Sequence, residues 1–220
     1  MVTPRWGCGG FVPSKIVQPQ LSGLPDFTLT KAVHAVNADL VNNLGNLVQR
    51  TTVKRMNPQQ RYPAFDVEVM EHDLKGTGEK LVAELKTLRE RVGNHYESQM
   101  FYKGIEAICE TLTHANAFFQ LHEPWKMSQG PDLSTILFLA YEACRISSVL
   151  LQPIVPDYTN KILSRFGLNE SERHLDTAQF AGGPSIKIYR RPLGEDLGPV
   201  MSRIDYEKVE HVVKLSENLS

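Results

Sequence analysis

Three side chains could do recognition chemistry. Trp125 stands in His122-Glu123-Pro124-Trp125-Lys126, after an apolar-periodic segment that ends near Leu121. An indole that follows Pro at a helix end can be presented as a flat plate, and flat plates stack on nucleic-acid bases. Asn46 and Arg50 lie four residues apart on another predicted helix and so share a face. An amide and a guanidinium read base edges while an aromatic ring holds the base. The trio points to RNA recognition. Each residue also has a plain reading. Trp125 can plug the end of a bundle, Asn46 can cap a turn, and Arg50 can pair with an acid.

The rest of the sequence offers little other chemistry. There is no Walker A, GxGxxG or HExxH motif. The seven histidines (34, 72, 95, 114, 122, 174, 211) lack ligand spacing, and Cys8, Cys109 and Cys144 are too dispersed for a zinc site or a disulfide framework. No metal ligands and no catalytic residues are therefore nominated. The carboxylates are scattered, mostly on predicted solvent faces, and form no acid–base pair. Lys126-Met127-Ser128-Gln129 is similar to the KMSKS loop of class I aminoacyl-tRNA synthetases. It lacks the final Lys-Ser, follows Pro124-Trp125 directly, and has neither a preceding nucleotide-binding βα pattern nor a HIGH-like element. We read that likeness as accidental.

The elements that must position the trio are helical. Leu29, Val33, Val36, Leu40, Leu44 and Leu47 recur by three and four, which predicts a helix from Leu29 to about Thr52 with Asp26 or Thr28 as cap. At ~100° per residue, Asp39, Asn43, Asn46 and Arg50 form a polar stripe beside that apolar one. Asn57-Pro58 and Tyr62-Pro63 end it, and an irregular connection runs to about Gly78. Further helices are predicted near Glu79–Tyr96, Gln99–Leu121, Leu133–Leu151 and Asp157–Phe166, with Pro156 suited to the first turn of the last and Gly167 to its stop. Ile186–Tyr189 alternates like a short strand, and Tyr206–Leu219 reads as a terminal helix charged on most faces. Five consecutive amphipathic helices imply an all-α fold, a helical bundle. Three parts follow: an arm (1–25, read as mostly disordered), a helical domain (26–205) and a C-terminal helix or tail (206–220). The arm is rich in Gly and Pro and has no acid. It is not periodic, unlike a transit peptide.

The formal net charge of -1 hides an asymmetry. Residues 1–63 carry seven Lys/Arg and two acids, whereas 64–220 carry seventeen and twenty-three. A basic first third could face phosphate, with binding that weakens as salt rises. No run of about 18 apolar residues suggests a membrane span, and no membrane partner is expected. A monomer is the default reading.

Read together, the segments resemble the C-terminal anticodon-binding domain of methionyl-tRNA synthetase, over roughly residues 26–205. Residues 37–50, NADLVNNLGNLVQR, resemble the family's NADL…NLGNL…R helix. Asn116-Ala117-Phe118 followed by Pro124-Trp125-Lys126 resembles its NxY…PWK helix end, with Phe118 where Tyr is common. Leu151-Gln152-Pro153-Ile154-Val155-Pro156 resembles an LxPxxP junction shared by several class I synthetases, a less specific likeness. Arg61-Tyr62-Pro63-Ala64-Phe65 and the absence of an appended domain look most like the mitochondrial branch.

The resemblance implies tRNA(Met) as partner, residence in the mitochondrial matrix, and contacts from Asn46 and Arg50 to anticodon bases. Pro124 and Trp125 would shape the pocket and stack on the first anticodon base, a cytosine. Asn43 and Asp39 would be supporting contacts. The family's catalytic domain is missing from the chain. ATP and methionine would bind there, so no cofactor and no aminoacylation are expected of these 220 residues alone. Two alternatives stay open: the same domain of another class Ia synthetase, and a helical interaction or scaffold module without RNA binding.

Overall fold

The computed structural model describes residues 28–181, 190–196 and 198–217. The expected arm, the Asp26 cap, Cys8 and the short strand at Ile186–Tyr189 lie outside them. Among the described residues the fold is all-α, as the periodicity predicts, with a single isolated antiparallel bridge between Arg61 and Pro192.

The first predicted helix exists but is not uniform. It comprises α1 (Leu29–Ala35), a π-helical stretch (Val36–Gly45) and α2 (Asn46–Thr52), joined through residues that keep right-handed helical dihedrals. Thr28 caps α1, its hydroxyl accepting from the Lys31 amide at 3.2 Å. The widened winding has a visible cause. Tyr158 inserts its hydroxyl against the helix and donates to the Leu40 carbonyl at 2.5 Å. Gly45 makes room: a Cβ there would stand 3.0 Å from both the Leu40 carbonyl oxygen and the Tyr158 hydroxyl. A side chain that intrudes on the carbonyl ladder is a recognised cause of such local rewinding.

A short helix, α3 (Val67–His72), interrupts the connection expected to be irregular. The Asp66 carboxylate caps it by accepting from the Glu68 and Val69 amides, and Val69 and Met70 go into the core. Six residues are too few for a periodic signal.

The bundle proper is α4 (Thr77–Glu97), α5 (Phe101–His122), α6 (Pro131–Leu151) and α7 (Pro156–Arg165), with α8 (Tyr206–Glu217) at the end of the described chain. Pro131 and Pro156 occupy first-turn positions, where a missing N–H is tolerated. Gly167 follows α7 with φ +76°, in the left-handed conformation that stops a helix. Short connections make α4, α5 and α6 neighbours, and α6 also touches α2, α3 and α7.

The expected amphipathicity fails at α6. Its residues are buried on every face from Thr135 to Leu151, so it is the central rod of the bundle. It is the one described helix long and apolar enough to cross a membrane, and 94% of that window is buried inside the protein. Glu142 and Arg145, on this same helix, are 0% and 1% exposed. They survive there because they satisfy each other and the backbone around them. Arg145 Nε and Nη2 donate to the Glu142 carboxylate at 2.7 and 2.8 Å, and Arg145 also donates to the Thr177 and Gln179 carbonyls. Tyr62 Oη and the Ala181 amide donate to the same carboxylate. Burial, together with the Glu142 charge, holds the Tyr62 phenol neutral far above the usual range. Charge pairing of this kind is what permits ions in a core.

Candidate nucleic-acid interface

The site forms where two helices end together. The 36–52 helix runs parallel to α5: Asn43 faces Cys109, Thr113 and Asn116, and Arg50 faces Gln120. Both C-termini therefore arrive at one end of the bundle. Buried hydrogen bonds fix the end of α2. The Thr52 carbonyl accepts from Gln60 Nε2 at 2.8 Å and from Arg165 Nη2 at 3.1 Å, and the Thr51 carbonyl accepts from Tyr141 Oη.

At the end of α5 the backbone turns abruptly. Glu123 adopts φ 45° and ψ 51°, the left-handed region, and a single 3-10 turn (Pro124–Lys126) follows. Pro124 is buried, which anchors the turn. The turn brings the Trp125 indole back against α5, with its ring centroid 6.2 Å from that of Phe119. Trp125 is half-buried, with one part on the core and the rest in solvent.

Arg50 joins this pair of rings. Its guanidinium carbon lies 5.0 Å from the Phe119 centroid and 5.5 Å from the Trp125 centroid. One nitrogen donates to Gln120 Oε1 at 3.1 Å. A guanidinium over aromatic faces gains about 0.5–2 kcal/mol, which favours one orientation while leaving other donors open. Asn46, one turn before Arg50, is exposed and has no side-chain hydrogen bond among the described residues. The structure thus brings Arg50 and Trp125 together across 75 residues of chain, with Asn46 beside them.

The outer members of the polar stripe behave differently. The Asn43 amide donates to the Cys109 carbonyl and the Thr113 hydroxyl, and its oxygen accepts from Asn116 at 2.7 Å. Asn43 is a bracket between helices, and Asn116 of the Asn-Ala-Phe motif is its counterpart. Asp39 is half-buried nearer α1. Burial raises its carboxyl pKa, opposed by the charge of His34; burial, with a smaller contribution from the Asp39 charge, pushes the Cys109 thiol up to about 11. At ~1.5 Å per residue, Asp39 stands roughly 15 Å from Arg50 along the helix.

Phe119 and Gln120, the floor and tether of Arg50, are missing from the residues nominated by sequence. Phe119 reads there only as one more core position at helical spacing, which is its usual meaning. Around the site the charge is positive. Lys54 and Arg55 sit exposed in the turn after α2, and no ion pair involves them among the described residues. Lys126 pairs with Glu123 at 2.8 Å. His122 rests on Phe118, and burial lowers its pKa. Among the described residues no cluster of His, Cys, Asp or Glu could hold a metal ion.

No protein-family model matches the chain. The mitochondrial methionine–tRNA ligase of Homo sapiens is 34% identical over 200 residues, which cover 83% of this chain and 34% of that protein. Its Bos taurus counterpart is 33% identical over 201 residues with the same shares. The free-state crystal structure of Mycobacterium tuberculosis methionyl-tRNA synthetase superposes with a TM-score of 0.70 at 26% identity, over 81% of this chain and 35% of that one. The chain thus spans about a third of the length of the relatives it matches.

Proposed function

We propose that this chain, homologous over most of its length to mitochondrial methionine–tRNA ligases, binds the anticodon loop of tRNA(Met). The observation that carries the reading is the Arg50 guanidinium held 5.5 Å from the half-exposed Trp125 ring, with the exposed Asn46, unpartnered among the described residues, one turn before Arg50. An unpaired cytosine would lie on the indole, and stacking contributes about 1–3 kcal/mol per base. Arg50 and Asn46 would meet its polar edge, where a mismatched base leaves donors unpaired. Pro124 acts by fixing the turn that aims the ring. Asn43 and Asp39 act through the packing of the helix on α5. Nothing in this reading requires a cofactor or a chemical step from the chain, and it binds as a monomer. Binding would serve aminoacylation in the mitochondrial matrix, with ATP and methionine handled by the remaining part of a full-length synthetase.

Filter binding of the 220-residue chain to tRNA(Met), against the same tRNA with its CAU anticodon replaced, tests this. We expect preference for CAU. Equal affinity for both RNAs would refute it.

A further inference from the structure

A cavity is joined to the Trp125 platform by two short stretches of chain. It has a volume of about 630 Å³, within the ordinary range for ligand sites. Two chain segments connect it to the platform. One runs from Arg50 through the 53–55 turn to Met56, and the other from Trp125 to Gln129. They meet where Gln129 Nε2 reaches the Met56 carbonyl at 3.4 Å. The cavity is therefore four to six residues from the platform along both segments.

Its lining divides by chemistry. Met56, Leu133 and Leu137 give an apolar floor. The rim carries Gln59, Arg61 and Gln129, all exposed. Gln59 has no side-chain hydrogen bond among the described residues. Arg61 uses one nitrogen on the Arg190 carbonyl at 2.8 Å. Gln129 makes only its long bond to Met56, which leaves its carbonyl oxygen uncommitted there. Asn57 and Ser134, which also line the cavity, are spent on the backbone of Arg61 and Ala64. An apolar floor with amides and a guanidinium at the edge suits a nucleobase and its phosphate. Among the described residues no carboxylate lines the cavity.

We infer that this cleft seats a second unstacked nucleotide of the same RNA loop, adjacent to the base on Trp125. The inference rests on the function proposed above. The base would cover Met56 and Leu133. Gln59 and Gln129 would meet its polar edge, and Arg61 its phosphate. A loop that spreads one base onto an indole exposes its neighbour, and single-stranded RNA is read through such splayed bases.

The test uses the full chain and an anticodon stem-loop RNA with a CAU loop, intact or with one loop position made abasic in turn. Proteins are wild type, Trp125→Ala, Gln59→Ala/Gln129→Ala and Arg61→Ala, each checked for an unchanged thermal midpoint. We expect the paired Gln variant to weaken the intact RNA roughly tenfold, and to lose that penalty at one abasic position other than the one that abolishes the Trp125→Ala penalty. Wild-type affinity in the Gln and Arg variants overturns the inference and leaves the Trp125 reading standing. A penalty equal on all RNAs also overturns it, since that reports backbone charge and not a seated base. If Trp125→Ala binds every RNA as wild type does, the Trp125 reading fails, and this inference with it.

Discussion

Replacing Glu142 by Gln tests the core that holds the interface. The carboxylate accepts four hydrogen bonds: Tyr62 Oη at 2.8 Å and Arg145 Nε at 2.7 Å on one oxygen, Arg145 Nη2 at 2.8 Å and the Ala181 amide at 2.7 Å on the other. An amide keeps one acceptor. Its NH2 must then confront two donors, and the Arg145 charge, 1% exposed, loses its counter-ion. Breaking a buried pair on one side costs about 3–5 kcal/mol, a large share of a total near 5–15 kcal/mol. At about 2–4 °C per kcal/mol for a domain of this size, the midpoint falls by roughly 6–20 °C. Thermal unfolding followed by far-ultraviolet circular dichroism, with urea titration beside it, reads both numbers. E142M/R145M removes both charges yet orphans Tyr62 Oη, the Ala181 amide and the Thr177 and Gln179 carbonyls. At about 1–3 kcal/mol each, the double variant also stays below wild type. Well below the new midpoint, E142Q binds RNA normally, because Glu142 contacts neither Arg50 nor Trp125. A loss under about 1 kcal/mol in E142Q would refute the reasoning, since it would mean that the pair is open to water.

At the interface itself, Trp125→Ala weakens a CAU stem-loop by about 5- to 150-fold, the equivalent of one stacked base, and Trp125→Phe retains most of the affinity; a direct titration checks both. Lys54→Ala and Arg55→Ala each reduce the slope of log K against log salt by about 1, without altering CAU preference. Stability depends on pH through His122. Burial lowers its folded pKa below the ordinary ~6.5, so above that value both states are neutral and stability is complete. As pH falls below it the unfolded chain takes the proton first, and stability declines until the folded pKa is passed; His122→Gln flattens that part of a melting profile. Gly45→Ala pushes a methyl against the Leu40 carbonyl and the Tyr158 hydroxyl, both at 3.0 Å, and lowers the midpoint, whereas Gly45→Ala in a Tyr158→Phe background loses less, measured as a double-mutant cycle.

Much of this architecture is legible in the sequence because its signals are local. Apolar spacing of three and four marks each long helix. Pro131 and Pro156 open two helices, and Gly167 closes one with the positive φ its position implies. The features that escape are those set by distant partners. The π stretch needs Tyr158, 118 residues away from the Leu40 carbonyl it contacts. Nothing in the sequence singles out Glu142 and Arg145 as core residues, because charged side chains are rarely buried. Their burial depends on Tyr62 and the 177–181 segment, which no helical pattern announces. The Arg50–Trp125 approach is likewise long-range, and it is the family likeness of residues 37–50 and 116–126, not their spacing, that pairs them in advance.

The polar residues of the 36–52 helix separate by what they have left to give. Asn43 spends both its donor and its acceptor atoms on α5. Asp39 lies nearer α1, and burial already disfavours its charge. Arg50 is half committed, one nitrogen on Gln120 and its plane beside two rings. Asn46 makes no side-chain hydrogen bond among the described residues. Recognition needs groups that are held in place yet still hydrogen-bond poor, because a donor already satisfied gains nothing from a base and a floppy one gives back its gain as entropy. By that criterion base selection rests on Asn46 and Arg50, with Trp125 setting the plane. Substituting Asn43 should then alter melting first and base preference only as a consequence of helix displacement, while substituting Asn46 should do the reverse.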